Sequence, residues 1–413
     1  AYAGKGGQYT QIDGILAYYE ICLLVKQGAL TEMYDDVAHE TYAYGGSQFV
    51  SYDNKHAIVI KAEYALEKQL GGLMVWDISM DDFHGQCGIG RNPLLATMKA
   101  VLTGDNPDSP SFTPYPNPFE PTVAPGCEFT CPENGASYYS DPCSCRHFID
   151  CRTALTIRKV CPGDLYWNND KVYCDHQYNV KCSSSVEKPL TPPPAPEEAF
   201  GGAQPPEEGV HRVCYYTNWA QYRSGFAYYS PKQVDPFLCT HIIYSFLDLA
   251  ENFTVKLHES NGASQIEELV NLKTKNSDLK IMIAVGGQTI PTARFSEMAR
   301  TADNRRVFTN SVMDMLETYS LDGFDLDWQF PMAHDRENLN EVMREFRTAF
   351  GPAKLLSIAI RVFLNDLDNS YDLTTLSQYV DWFGLMTYDL VGYLNRVTGH
   401  HSQIGRASCR ERV

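Results

Sequence analysis

From residue 210 onward, short apolar runs alternate with stretches whose apolar residues recur at helical spacing. The runs predict strands over 213–219, 241–247, 280–287, 323–329, 355–362 and 382–389. The stretches between them predict helices, among them 264–273, 304–319 and 337–349. Repeated strand–helix units imply an α/β fold with a parallel sheet. Six such units make three quarters of a (β/α)8 barrel, with a doubly wound open sheet as the structural alternative.

The front of the chain is patterned less regularly. Residues 14–22 are apolar and aromatic, 49–53 read as a strand ending at a turn, and 55–70 carry helical spacing. A short buried strand is predicted over 71–78 and a closing helix over 93–102. The uncapped start makes 1–104 read as the end of a larger domain rather than a complete small α+β domain. Residues 105–126 and 183–209 are rich in proline and polar residues and read as linkers, the second stiffened by its Pro-rich run. Between them, 127–182 form a separate cysteine-dense segment.

The stretch 322–329, Asp-Gly-Phe-Asp-Leu-Asp-Trp-Gln, carries the candidate chemistry. On a strand, successive side chains point to opposite faces. Asp325, Asp327 and Gln329 then share one face, and Phe324, Leu326 and Trp328 the other. Burying paired carboxylates is costly without partners or purpose. A solvated strand edge is the plain alternative, but the apolar opposite face and the following Pro331 argue for a row at the C-terminal end of a barrel strand. Asp322 falls off this face and is assigned a structural role.

Composition narrows the ligand. The 413 residues carry a formal net charge of −17, unsuited to nucleic acid. Aromatic residues reach 12%, with 26 tyrosines, which suits a neutral polysaccharide without being diagnostic of one. No apolar run is long enough to span a membrane, and no leader opens the chain. Eight of 13 cysteines lie within 127–182, which reads as a disulfide framework from an oxidising, extracellular setting. Asn252 opens a glycosylation pattern, which agrees with secretion. The close pair Cys143 and Cys145 leaves a zinc site as a competing reading, but four-ligand sites show two such pairs, so neither metal nor cofactor is expected. The odd cysteine, Cys409, lies in 404–413, which looks like a translated sequencing adapter and is excluded from fold reasoning. The chain is therefore expected to be a fragment, open at both ends.

At this point the motifs resemble a known family. Residues 213–219 (VCYYTNW), 244–246 (YSF), 284–287 (AVGG), 322–329 (DGFDLDWQ) and 386–389 (MTYD) occur in the order and spacing of family 18 glycoside hydrolases, the chitinase family. On this resemblance 210–403 are the N-terminal two thirds of one such (β/α)8 TIM barrel. Residues 1–104 are similar to the C-terminal third of another, with Trp76 as the wall tryptophan of its eighth strand. Residues 127–182 resemble a peritrophin-A-type chitin-binding domain, a small disulfide-rich β module. The resemblance implies disulfides Cys22–Cys87, Cys214–Cys239, Cys131–Cys151, Cys145–Cys182 and Cys161–Cys174. The two extra cysteines, Cys127 and Cys143, pair by elimination. Chitin or chito-oligosaccharides are the implied partners.

The family's mechanism is substrate-assisted, an exception to the two-carboxylate scheme. The sugar's acetamido oxygen attacks, and one glutamic acid protonates the leaving oxygen. The resemblance assigns Asp327 to orienting the acetamido group, Asp325 to partnering it, and Tyr388 to binding the acetamido oxygen. Met386 and Asp389 would line the cleft, and Tyr215, Trp219, Phe246 and Trp76 would form its walls. In the small module, Tyr139, Phe148, Tyr166, Trp167 and Tyr173 could supply sugar-stacking faces.

The general-acid position holds Gln329, an amide with no proton to release near neutral pH. Gln288 stands in place of an aromatic, Arg361 in place of a small residue, and Leu390 and Val391 also depart from the family pattern. The expectation is a secreted chitin-binding protein whose second barrel is an inactive, lectin-like relative of a hydrolase. Two alternatives stand beside it: an active chitinase working through the truncated first domain, and a structural chitin-matrix protein. One further expectation is geometric. The front piece supplies a last strand that the rear piece lacks, so 70–80 should dock beside 213–219, as in a permuted barrel short of one strand.

Overall fold

The structure, a computed structural model, describes residues 4, 6–104, 129, 131–132, 138–142, 144–151, 157–160, 165–169, 171–176, 180, 210–363, 367, 369–391 and 398–404. The chain divides into two compact units, one of residues 1–114 with 203–413 and the other of residues 115–202. The linkers 105–126 and 183–209 lie wholly outside the described residues.

The front piece begins with α1 (Tyr18–Lys26) and a three-stranded antiparallel sheet, β1 (Thr31–Asp35), β2 (Glu40–Gly45) and β3 (Gln48–Tyr52). The one-sided burial of this sheet explains the mixed pattern. Ala43 and Tyr52 pack inward with Ile21 and Leu30, while Tyr44 and Phe49 stay exposed. Then come α2 (Lys55–Glu67), capped by the Asn54 side chain, and the short β4 (Gly72–Val75). Next is α3 (Pro93–Thr103), with proline in its first turn and Gly104 closing it in the left-handed region.

The small unit contains β5 (Tyr138–Asp141), β6 (Ser144–Asp150) and β7 (Ile157–Val160) in one antiparallel sheet. β8 (Leu165–Asn168) and β9 (Tyr173–His176) pair as a hairpin. Its core is aromatic: Phe148 stacks on Trp167 at 4.2 Å, and Tyr138 meets both rings. Cys131–Cys151 is formed, and Cys145 is disulfide-bonded. The expected pairs Cys127–Cys143, Cys145–Cys182 and Cys161–Cys174 each involve a residue outside the described set.

The rear piece carries β10 (His211–Thr217), β11 (His241–Leu249), β12 (Val255–Leu257), β13 (Lys280–Gly286), β14 (Gly323–Asp327), β15 (Leu355–Arg361) and β16 (Trp382–Met386). The sheet order is β16-β15-β14-β13-β11-β10-β4, parallel throughout, with β12 added antiparallel to β11. The expected docking of the front piece therefore occurs: Gly72 to Val75 pair in parallel with His211 to Cys214. The sheet also curves round on itself. His211 on β10 touches Trp382 on β16, five strands away along the sheet, with ring centres 5.5 Å apart.

Helices α4 (Gly262–Asn271), α5 (Thr292–Arg300), α6 (Ala302–Thr318) and α7 (Arg336–Phe350) cover the outer face. The strand period divides the core in two. Val213, Tyr215, Ile243, Met282 and Ala284 point inside. Cys214, Ile242, Ile283, Phe324, Leu326, Ile358 and Ile360 face the helices. Disulfides Cys22–Cys87 and Cys214–Cys239 are formed, one within each piece.

Three predicted strands are markedly shorter than expected: the one over 71–78 stops at Val75, where Trp76 begins the wall of the site. The strand predicted over 323–329 stops at Asp327, because Trp328 turns outward to stack on Phe295 and donates its indole N–H to Thr292. The strand predicted over 382–389 stops at Met386, and Asp389 sits at φ 53°, a conformation no strand accommodates. Tyr388 and Asp389 thus lie on a loop.

Phe346 is fully buried, with Phe324 at 4.8 Å and Phe308 at 5.3 Å. Phe346→Ala should cost about 3–5 kcal/mol of unfolding free energy, read by chemical denaturation.

Candidate functional site

The site forms where β14 reaches the C-terminal end of the sheet. Asp325 and Asp327 are both buried, on the inner face that alternation assigns them. Asp325 accepts a 2.9 Å hydrogen bond from the Tyr215 phenol and a 2.6 Å bond from the Ser357 hydroxyl. Tyr215 lies on β10 and Ser357 on β15, so Asp325 is clamped from both sides of the barrel interior.

Gln329 lies just beyond the strand and reaches back. Its side-chain N–H donates to both carboxylate oxygens of Asp327, at 3.0 and 3.2 Å. Burial pushes the Asp325 carboxyl up to about 6, against the pull of the Ser357 and Tyr215 hydrogen bonds. Asp327 rises to about 7, first through burial, then through the neighbouring Asp325 charge, with the Gln329 bond opposing. Burial also raises Tyr388, as do the charges of Asp327, Asp389 and Asp325 close by. The phenol of Tyr388 therefore stays protonated and able to donate.

The walls of the site are aromatic. Trp76, 37% exposed, packs against Tyr215 at 5.3 Å, Phe246 at 5.6 Å and Trp219 at 6.1 Å. Phe246 and Trp219 stack in turn at 6.2 Å. Trp76 comes from the front piece, directly after β4, while the other three belong to the rear piece. Met386 is buried at the end of β16, level with Arg361 in the strand register. Gln288 and Asp389 are exposed. Arg361 lies over two rings, Phe330 at 4.9 Å and Phe363 at 4.5 Å.

Other assignments divide. Asp322 accepts from Lys273 at 2.7 and 2.9 Å and from the Ile281 backbone, a structural ion pair away from the carboxylate face. Asn252 is exposed and receives the Thr254 hydroxyl at 2.8 Å. Trp167 is corrected: at 5% exposure and stacked on Phe148, it builds the module's core rather than an open sugar platform. Phe148, its stacking partner, is committed to the same core on one ring face. Tyr139 packs against Phe129 at 5.5 Å. The side chains of Tyr166 and Tyr173 lie outside the described residues.

Two groups of functional residues escaped the sequence reading. Ser357 was legible in principle, as a polar residue inside the apolar run 355–360 on the same inward parity as Arg361. Arg223, which donates to Ser79 beside the Trp76 wall, carries no local signal because its partner is 144 residues away. Among the described residues no cluster of side chains is arranged to hold a metal ion, and no helix is long and apolar enough to cross a membrane.

Glycosyl hydrolases family 18 matches residues 1–81 and 211–411, more than half of the chain and most of the 404–413 stretch besides. The Chitin binding Peritrophin-A domain matches 131–182. A Drosophila melanogaster protein named "Probable chitinase 10" is 31% identical over 417 residues, covering 96% of this chain and 17% of the fly protein. Mouse chitotriosidase-1 is 37% identical over 205 residues, covering 46% of this chain and 44% of the mouse protein. The chain thus spans less than half the length of either relative. Among solved structures, an immunomodulatory active chitinase from Trichuris suis is 34% identical over 46% of this chain and 54% of its own, with a TM-score of 0.46. Human YKL-39, described as a pseudo-chitinase with retained chitooligosaccharide binding, is 30% identical over 46% of this chain and 55% of its own, with a TM-score of 0.44.

The buried carboxyls set a pH dependence. Both hold protons more tightly folded than unfolded, so stability is unaffected below the unfolded carboxylate range and falls as pH rises through about 6 to 7. Asp327→Asn removes one of these groups. Its stability, measured by denaturation at pH 4.5 and 7.5, should decline less between the two than that of the unmodified chain.

Proposed function

The chain belongs to glycosyl hydrolase family 18, and from that premise we propose that its barrel holds chains of N-acetylglucosamine without cutting them, while the peritrophin-A-type module anchors the protein to chitin. The observation that carries this reading is the bond from Gln329 to Asp327. An amide keeps the reach of a glutamic acid and still donates to the neighbouring carboxylate. It cannot protonate a leaving oxygen, and general acid catalysis is worth roughly 10²–10⁴-fold in rate.

The remaining residues keep roles suited to holding an acetamido sugar. Asp327 would orient the acetamido group, with Asp325 behind it. Tyr388 would donate to the acetamido oxygen, and Trp76, Trp219, Tyr215 and Phe246 would offer ring faces to the sugar. Gln288 lacks a ring face, which weakens one subsite. The module raises the local concentration of polymer at the barrel. An extracellular location fits the disulfides of both units.

The domain reading belongs to the same proposal. Residues 1–104 would be the end of one family 18 domain and 210–403 most of the next. The match to the fly relative supports this order, since it runs through 96% of the chain. Catalysis by an upstream domain of a longer protein is the second reading, favoured by the small share of each relative that this chain spans.

Gln329→Glu should gain hydrolysis of chito-oligosaccharides by roughly 10²–10⁴-fold over the unmodified chain, read as reducing-end release. No gain would mean that Gln288 or Arg361 also disables the cleft. Release of oligomers by the unmodified chain would overturn the proposal.

A further inference from the structure

We propose that Asn252 carries an N-linked oligosaccharide at the rim of the barrel, beside the cleft and outside it. The proposal concerns the chain as a secreted protein and stands whether or not the cleft holds sugar.

The sequence offers one acceptor. Asn252-Phe253-Thr254 is the single Asn-x-Ser/Thr triplet, with x other than proline, in the 413 residues. A triplet buried within a strand would be a chance match, but this one lies on a hairpin tip. Residues 250–254 join β11 to β12. The Ala250 N–H donates to the Thr254 carbonyl at 2.9 Å and the Phe253 N–H to the Ala250 carbonyl at 3.0 Å, which closes the loop tightly. Phe253, at φ 64°, packs against the main core. Turning that ring inward leaves Glu251 and Asn252 outermost, and both are exposed.

The loop also decides which end of the Asn252 amide faces water. Its Oδ1 accepts the Thr254 hydroxyl at 2.8 Å and the Thr254 backbone N–H at 3.3 Å. The amide nitrogen only donates, so the reverse orientation would set it against that backbone N–H. With the oxygen tied to the loop, Nδ2 is directed away from it, and Nδ2 is the atom that takes the sugar. The co-reactant is a lipid-pyrophosphate-linked oligosaccharide, the donor class of the secretory pathway. The bond from Nδ2 to the sugar's anomeric carbon forms as the bond from that carbon to the phosphate oxygen breaks. The pyrophosphate leaves with the electron pair, and Nδ2 gives up one proton. Nothing is oxidised or reduced, and the hydrogen bonds at Oδ1 survive in the product.

Register fixes where the oligosaccharide stands. Leu247 pairs with Val285 and Val285 with Leu326, so Leu247 is level with the residue before Asp327. Asn252 follows it past the C-terminal end of the sheet, two strands from β14. The Val255 N–H donates to the Ser311 hydroxyl of α6 at 3.0 Å, which holds the hairpin against the helix layer. The sugar therefore rises beside the cleft on the α6 flank, and that flank faces water rather than a partner chain. The Cys214–Cys239 disulfide of the same piece fits the oxidising compartment in which the transfer occurs.

The test is secretion of the full chain from mammalian cells behind a secretion leader, followed by peptide mass spectrometry. Most copies of the Asn252 peptide should carry the added mass of hexose and N-acetylhexosamine. Peptide-N-glycosidase should remove that mass from the folded protein, leaving an aspartate. Thr254→Ser keeps the hydroxyl and should keep the modification, while Thr254→Val and Asn252→Gln should lose it. A secreted chain with Asn252 unmodified would overturn the proposal, and so would modification that persists in Thr254→Val. Sugar released only after denaturation would overturn its placement on an open flank.

Discussion

The barrel depends on how it tolerates two carboxylates on a fully buried strand. Asp325 is satisfied by two hydroxyls rather than a cation, and those hydroxyls come from β10 and β15. The Tyr215 bond crosses the interior, past the strands that separate β10 from β14 along the sheet. Such a bond forms only if the sheet is closely curved. A buried acceptor left unmet costs about 1–3 kcal/mol, and more if charged. The pair therefore fixes curvature as well as chemistry. Curvature in turn places Trp76, because β4 reaches the inner rings only by pairing at the β10 edge.

Gln329 fits this constraint without adding a charge. A glutamate there would stand beside Asp327, whose carboxyl already feels Asp325. The amide instead donates to it. Asp327 thus gains a donor that opposes its upward shift, and the carboxylate is held in one orientation. This is a quieter electrostatic arrangement than one with three acidic groups in a row. It gives up the proton that bond cleavage calls for, while an oriented acceptor and a protonated Tyr388 remain available to a bound acetamido group.

Much of the architecture was legible because period and burial coincide. The six parallel rear strands follow from their apolar runs, and the inner placement of Asp325 and Asp327 and the outward turn of Phe324 and Leu326 follow from alternation. The docking of the front strand was legible only through the family pattern, since four residues of β4 carry no information about their partner. Strand ends were misjudged where tertiary contacts stop the ladder. Trp328 keeps the outward face that alternation gives it, but the ladder stops at Asp327 as Trp328 packs on Phe295 and Thr292, and Asp389 enters the left-handed region. Trp167 was misread because an aromatic in a small module looks the same in sequence whether it stacks on sugar or on Phe148. Arg223 was invisible for a different reason: its partner lies far along the chain, and no spacing rule reaches so far.

A barrel that needed only to fold would gain from apolar residues at 325 and 327. Replacing buried charged groups by well-packed apolar ones is often neutral or stabilising. Here both positions carry carboxyls at a stability cost near neutral pH, and the walls carry a partly exposed tryptophan. Asp325 has a structural use in its cross-barrel hydroxyl bonds, but the hydrogen bonds of Asp327 reach only the neighbouring Gln329. Both carboxyls and the tryptophan suit a cleft that must recognise a polar amide and the flat faces of a sugar ring. On the proposed reading, the amide at 329 would keep that surface and lack only the proton that bond cleavage needs. The proposed reading gives these side chains a use: two buried carboxyls and a half-exposed tryptophan wall are what an acetamido sugar would need, whether or not its bond is cut.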